Sequence, residues 1–428
     1  MRIDPVKGTR DFYPDKMRFR NWFFETCRRV SLLFGYEEYD GPFLELLELY
    51  ARKSGEELVN EQTYTLTSRG DDPETLAIRP EMTPTLARMV AARQQEIRKP
   101  IRWFSIPNCW RYEAPQRGRR REFNQYNVDI LGVESLDADA EILAVTVRIL
   151  RELGLEQGEF VIRISNRYYL ETLFQEIGAS ESVFPDLLRQ IDRIEKLKPE
   201  EFCANLLELG LATLQVDALL KRLNDRSYAG FEPLEQLFEK LEQYGIADYT
   251  RFDPHIARGL LYYTGTVFEI WDQSKNLRRA VAGGGRYDDL VTDLGGTRLP
   301  GVGIAFSDVV IEQMLEQRKK APVLPREIDI YVAQYQPTLR GQAIAIAQSL
   351  REAGFRTEMN VLDVGLDKQL KAAAAGGAQY AIILAPDEMA RGEVNVKNLR
   401  TREQLAVPME GLATFLSQNN DSSLNKEV

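Results

Sequence analysis

The sequence predicts a mixed α/β protein built in two unequal parts, and three observations carry that reading. Alternating apolar residues flank a cationic loop: Trp103, Ile106 and Cys109 precede it, and Phe123, Tyr126, Val128 and Ile130 follow it. This is the pattern of two strands joined by a Pro/Gly-containing connection. Ile142, Val145, Ile149 and Leu153 then recur at helical spacing. Finally, a charged stretch with two prolines at 318–327 precedes alternating strand and helix signals that form a separate small domain.

Taken from the N-terminus, KGTRDFYP at 7–14 leads into a helix over about 16–34, where Trp22, Phe23, Val30 and Leu33 supply one broad apolar face and Gly35 closes the element. Residues 36–42 are extended and end in a turn at Pro42. Residues 75–78 form a short strand, Pro80 and Pro84 punctuate the chain, and a helix continues towards Ala92. The helix after the cationic loop takes Ser135 or Asp137 as its cap. A strand at 160–164 is followed, over about 169–244, by a leucine-rich and charged helical insertion whose apolar positions build a core. Residues 260–271 predict a strand with aromatic side chains on both faces, in which Gly265 permits close backbone approach. LPGVGIAFSDVVIEQMLEQ then runs from strand into helix. Beyond 318–327, the strand signals at IDIYVAQY, FRTEMNV and YAIILAP alternate with helices over about 339–353 and 368–375, as in a covered, partly parallel sheet. The polar tail from Gln418 to Val428 reads as disordered.

With 428 residues the chain can hold two or three domains, and 44% hydrophobic with 28% charged residues is ordinary globular composition. The 55 Lys and Arg against 65 Asp and Glu leave a net charge of -10, which excludes a wholly basic nucleic-acid coat protein. An enzyme that meets nucleic acid through local patches remains compatible. Cys27, Cys109 and Cys203 are too few and too scattered for a disulfide framework or a zinc motif, and read as packing residues. With no secretory leader or long uncharged span, a cytoplasmic protein without membrane contact is expected. His255 is the single histidine, so a serine-histidine-acid relay, a histidine-rich metal site or phosphohistidine chemistry would each depend on it alone. Its place after Asp253 and Pro254 suggests a structural role, and no fixed protein-only metal site is expected.

Arg111, Arg117, Arg119, Arg120 and Arg121 crowd one loop of an acidic protein. Guanidinium forks combine charge with directional donors, which favours a polyphosphate or a nucleic-acid backbone; the alternative is a solvated hairpin. Antiparallel pairing would carry Arg111 and Glu113 beside Gln125 and Asp129. Glu81, at a strand-helix junction, either meets a ligand amine or pairs with Arg79 or Arg88. Arg258, Tyr262 and Tyr263 offer a cation and two phenols, or else a salt bridge and an aromatic core. Gly283, Gly284 and Gly285 allow close approach of backbone to a ligand, or simply a tight connection.

KGTRDFYP, IRPEMTPTLAR at 78–88, WRYEAPQRGRRREFNQYNVDILG at 110–132, ARGLLYYTGTVFE at 257–269 and AGGGRYDDL at 282–290 resemble, in this order, the histidyl-tRNA synthetase family of class II aminoacyl-tRNA synthetases. GEVNVKNLRTREQ at 392–404 is similar to the family's anticodon-binding domain, so the likeness covers nearly the whole chain. It implies an antiparallel catalytic sheet surrounded by helices over 1–317, including the insertion, a linker at 318–327, an anticodon-binding domain at 328–420 and a flexible tail at 421–428. It implies a homodimer with a subunit contact near Pro42, and ligation of L-histidine to histidine-specific tRNA through a histidyl-adenylate, with ATP as substrate and Mg2+ accompanying it.

Carried over residue by residue, the resemblance makes Arg111 and Arg258 the catalytic cations at the α-phosphate. Glu113 and Phe123 would meet adenine, and Arg119 and Arg121 the outer phosphates. Glu81, with Thr83 and Gln125, would bind the histidine amine, while Asp129 and Tyr263 read the imidazole nitrogens and Tyr262 shapes their pocket. Two positions depart from the pattern: Leu261 stands where the family has an aspartate, and Val310 where its third motif has an arginine. Arg286 or the cationic loop is a candidate to supply the missing ATP contact, the alternative being another ATP pose. These departures keep two alternatives open, a noncatalytic histidine-sensing regulatory subunit of histidine biosynthesis and a noncatalytic tRNA sensor.

Overall fold

The computed structural model describes residues 3–51, 58–68, 74–223, 225–227, 229–257, 262–274 and 280–419. The chain divides into two compact units, Met1–Pro322 and Val323–Val428.

The first unit is built on a nine-stranded sheet. Its central strands, Ile101–Ser105, Glu122–Leu131, Gly301–Ser307, Ala280–Arg286, Thr266–Asp272 and Phe160–Asn166, pair antiparallel in that order. Parallel pairing is confined to the edges, where Glu37–Glu38 joins Ile101–Ser105 and Thr250–Phe252 joins Phe160–Asn166. Side-chain alternation along Glu122–Leu131 explains what each face does. Tyr126, Val128 and Ile130 enter the main core with Ile142, Val145 and Ile149 of the helix Asp137–Glu152 and Phe23, Cys27 and Val30 of the helix Pro14–Leu33. Each such side chain, fully removed from water, contributes about 1.5–3 kcal/mol. Phe123, Gln125, Asn127 and Asp129 point the other way, into a cavity.

Several local expectations are corrected. Neither Ser135 nor Asp137 caps the Asp137–Glu152 helix; Leu136 holds that place, Ser135 Oγ donates to Asp137 Oδ2 at 2.8 Å, and Asp137 pairs with Lys240 at 2.5 Å. Of the strand expected over 260–271, residues 260 and 261 lie outside the described residues, and the strand begins at Thr266, because Thr264 before it turns its N–H onto Arg286 O at 2.8 Å. Arg111 lies opposite Arg121, with N–H to O at 2.8 Å, rather than beside Gln125 or Asp129, which pair with other parts of the chain.

The insertion comprises the helices Arg167–Glu176, Phe184–Arg193, Pro199–Glu208, Thr213–Arg222 and Glu232–Gln243. Leu170, Leu173, Leu187, Leu206, Leu219, Leu234 and Leu237 are fully buried, and they extend the main core.

In the second unit, Thr357–Met359, Ile330–Gln334 and Tyr380–Leu384 run parallel, while Glu393–Asn398 and Gln404–Pro408 complete the sheet antiparallel. The helices Arg340–Glu352 and Leu366–Ala375 serve as crossovers, and Ile330, Val332, Ile382 and Leu384 are fully buried. A final helix, Leu412–Asn419, occupies the start of the stretch expected to be disordered. Leu416 is fully buried there and Tyr380 Oη donates to Asn419 O at 2.5 Å. The expected flexible tail at 421–428 lies outside the described residues. Among those described, no helix is long and apolar enough to cross a membrane.

Candidate active site

A cavity of about 590 Å³ opens on the face of the large sheet opposite its main helical core. One wall is the parity set Phe123, Gln125, Asn127 and Asp129; Gly303, Ala305 and Ser307 of the neighbouring strand continue it. Arg111, Glu113, Gly118, Arg119 and Arg120 come from the hairpin loop, Glu81 and Thr83 from the start of the helix Thr83–Arg93, and Tyr262 and Tyr263 from the turn before Thr266.

The cationic end is ordered by its own hydrogen bonds. Gln116 and Arg119 exchange backbone bonds at 3.2 and 2.9 Å, which closes the loop between Asn108–Trp110 and Glu122–Leu131. Arg111 Nε donates to Pro80 O at 2.9 Å, its guanidinium lies 5.5 Å from the Phe123 ring centre, and Nη1 is 3.9 Å from Glu113. Arg119 approaches the other Glu113 oxygen at 3.2 Å. Cations, a carboxylate and an aromatic face thus share one pole of the cavity. Beside them Cys109 is buried, and burial pushes its thiol up to about 12, so it is unreactive near neutrality.

The other pole holds carboxylates in the grip of phenols. Tyr262 Oη donates to buried Glu81 at 3.1 Å, and the Tyr262 and Tyr263 ring centres are 4.8 Å apart. Asp129 accepts a 2.6 Å hydrogen bond from Tyr287 Oη, and burial pushes its carboxyl up to about 7. A Cβ at Gly303 would overlap Asp129 Oδ1, so glycine is what admits the carboxylate beside that strand. Tyr287 and Asn127 are cavity residues that the motif reading missed. Alternation could have found both: Asn127 shares parity with Gln125 and Asp129, and Tyr287 with Gly283 and Gly285.

The same parity sends Arg286 to the opposite face, and it does not line the cavity. Its guanidinium pairs with Asp139 and with Asp288 at 3.4 Å, and donates to Val133 O at 2.9 Å and Ser135 O at 3.0 Å. Arg286→Ala would leave Asp139, whose side chain is 0% exposed, as a buried uncompensated charge. The expected outcome is a loss of about 3–5 kcal/mol in denaturant unfolding, with KM for ATP in the surviving folded protein changed less than about twofold. Arg121 is also off the cavity wall, stacked 4.0 Å from the Tyr112 ring centre with Nε on Glu113 O at 3.3 Å. Arg258 and Leu261 lie outside the described residues.

At the third-motif position the cavity meets the isopropyl groups of Val309 and Val310, and Val309 packs with Cys109 and Phe123. Asp308 carries the opposite charge and is held elsewhere: it pairs with Arg10 at 2.7 Å and accepts the N–H groups of Asn124 and Val309, each at 2.9 Å. Those bonds join the GTRD segment, the hairpin and the third motif at one buried point.

Among the described residues, Glu195, Asp253 and His255 bring donor atoms within 4.8 Å of one another. Arg163 already supplies a cation there, 2.7 Å from Glu195 and 3.4 Å from Asp253, so the group is satisfied as an ion-pair cluster. His255 lines the cavity and its Nδ1 lies 3.3 Å from Asp253.

An antiparallel sheet ringed by helices, bearing this two-ended cleft and followed by a separate α/β unit, has the architecture of a class II aminoacyl-tRNA synthetase. The family model for histidyl-tRNA synthetase matches residues 8–308, and that for an anticodon binding domain matches 329–419. The chain belongs to the histidyl-tRNA synthetase family. It is 37% identical to the chloroplastic/mitochondrial histidine-tRNA ligase of Arabidopsis thaliana, over 96% of this chain and 86% of that one. With the histidine-tRNA ligase of Opitutus terrae it shares 38% identity, over 95% and 96% of the two chains. The histidyl-tRNA synthetase of Nostoc superposes with a TM-score of 0.79 at 25% identity, covering 98% of this chain and 100% of that one. A Bacillus halodurans protein described as an ATP phosphoribosyltransferase regulatory subunit/histidyl-tRNA synthetase shares the fold, with a TM-score of 0.72 at 23% identity over 90% and 98% of the chains.

Proposed function

We propose that the cavity forms histidyl-adenylate from L-histidine and ATP and then passes the histidyl group to histidine-specific tRNA. The observation that carries this reading is the two-ended cavity: arginines and an aromatic face at one pole, tyrosine-held carboxylates at the other. The substrate carboxylate attacks the α-phosphorus and pyrophosphate leaves; the terminal ribose hydroxyl of tRNA then attacks the activated carbonyl and AMP leaves. The first step needs two anions held in line with charge stabilised at the α-phosphorus, the second needs the hydroxyl held against the acyl carbonyl with AMP as leaving group, and neither needs a histidine nucleophile.

In this reading Arg111 and Arg258 stabilise the α-phosphate, Phe123 and Val309 receive the purine, and Glu113 accepts from its amino group. Arg119 and Arg120 take the outer phosphates, with Arg121 supporting the loop from outside. Glu81 meets the ammonium with Thr83 and Gln125, while Asp129 and Tyr263 read the imidazole beside Tyr262. Glu269 on the cavity wall offers oxygen ligands of the kind Mg2+ favours; riding on ATP, the ion would offset phosphate charge.

We assign catalysis to 1–317, a linker to 318–327 and anticodon binding to 328–420, in a cytoplasmic homodimer. Phe43, Leu44 and Leu46, each 42% exposed, and Leu66, at 46%, support a subunit contact at the small sheet beside Pro42. Histidine-dependent ATP-pyrophosphate exchange by the purified protein tests the reading, with Arg258→Ala expected to lower kcat by about 10²–10³-fold. Folded, histidine-binding protein that gives no exchange would instead support the regulatory reading.

A further inference from the structure

We infer that Arg167, the first residue of the helical insertion, is a positioning residue for histidine recognition: it fixes the backbone that carries Tyr262 and Tyr263. The inference rests on the proposed role of those tyrosines. Arg167 Nη1 donates to Tyr263 O at 2.6 Å and its Nε to Ala257 O at 3.3 Å. Its backbone N–H donates to Gly265 O at 3.0 Å. One residue therefore holds the backbone at Ala257, at Tyr263 and at Gly265.

The anchor is firm where the segment needs support. Arg167 sits between the strand Phe160–Asn166 and the helix Arg167–Glu176, whose cap Asn166 accepts Tyr168 N–H at 2.8 Å. Tyr262 and Tyr263 precede the strand Thr266–Asp272, so its pairing ladder does not include them. On the far side, a Cβ at Gly285 would lie 2.9 Å from the Tyr263 ring, which shows how closely that ring is backed by the sheet. Tyr262 in turn holds Glu81 at 3.1 Å. Arg167 thereby acts, through two carbonyls, on the phenols at the amino-acid end of the cavity and leaves the purine end untouched. A planar fork can serve both carbonyls at once, whereas a lysine ammonium presents a single point of charge.

The test compares wild type, Arg167→Ala and Arg167→Lys as full-length proteins, by calorimetric histidine binding and by exchange kinetics. For Arg167→Ala, Kd and KM for histidine are expected to rise about 10- to 100-fold while KM for ATP changes less than about threefold. Arg167→Lys should fall between the two, and guanidinium ion in the millimolar range should restore part of the alanine protein's histidine affinity. Histidine and ATP constants that move together, or histidine affinity equal to wild type, would overturn the inference. Should the alanine protein not fold, the lysine protein decides alone, with an expected histidine Kd raised about three- to tenfold. Binding is read without catalysis, so a wild type that binds histidine but gives no exchange defeats the adenylation reading while the Kd comparison still decides the role of Arg167.

Discussion

Arg111→Ala is expected to lower kcat for histidine-dependent ATP-pyrophosphate exchange by about 10³-fold, with the fold intact by circular dichroism. The side chain is prepared in advance: Nε is tied to Pro80 O at 2.9 Å and the guanidinium lies 5.5 Å from the Phe123 ring centre. The residue lines the cavity and is held in place before the reaction, the condition under which preorganised charge is most effective. The loss should be severe because Val310 presents no cation at the position where the family's third motif has an arginine. Arg111→Lys should recover little, since an ammonium cannot reproduce the bidentate fork. An Arg111→Ala protein retaining exchange within tenfold of wild type would remove Arg111 from the mechanism.

Asp129→Asn should separate stability from recognition. The amide keeps the volume beside Gly303 and can still accept from Tyr287, but it loses the charge that orients an imidazole N–H. kcat/KM for histidine is therefore expected to fall about 10²–10³-fold. Stability should move the other way. The buried carboxyl ionises at about 7 in the folded protein and near 3.9 when unfolded. Between these values the native state holds the extra proton, so the wild type loses stability as pH rises through that window. The difference amounts to about 4 kcal/mol at most above pH 7. The asparagine protein should accordingly be more stable than wild type at pH 8, with the gain gone by about pH 4. Urea unfolding at the two pH values checks this, and an equal gain at both would refute the burial argument.

The long periodic elements were legible because one physical signal dominated each. The helix at 137–152 repeats Ile142, Val145 and Ile149 at helical spacing on its buried side, and the strand at 122–131 alternates between core and cavity. The motifs also led to ten residues of the cavity wall, from Glu81 to Tyr263. Arg286 was misleading because its charge attracted more notice than its parity, and a buried arginine can be wholly consumed by the partners of a neighbouring helix. Tyr287 and Arg167 were hidden for a related reason. Each acts through a partner distant in sequence, Asp129 for one and the carbonyls of Ala257 and Tyr263 for the other, and periodicity within a single element does not reveal such partnerships.

The strands Phe160–Asn166 and Thr250–Phe252 run side by side in the same direction. Neighbours of that kind cannot be joined by a tight turn; the chain must travel back the length of the sheet, which takes about a dozen residues or more. The helical insertion is therefore an obligatory return path that has been enlarged into a body whose interior is continuous with the main core. Its outer helices are free to change in length and number among relatives without altering the order of the sheet, provided the path still leaves from and returns to the same two strands. Growth at this place extends the protein outward, whereas the stretch that carries Asp192, Glu195 and Lys196 lines the cleft and is bound to its shape.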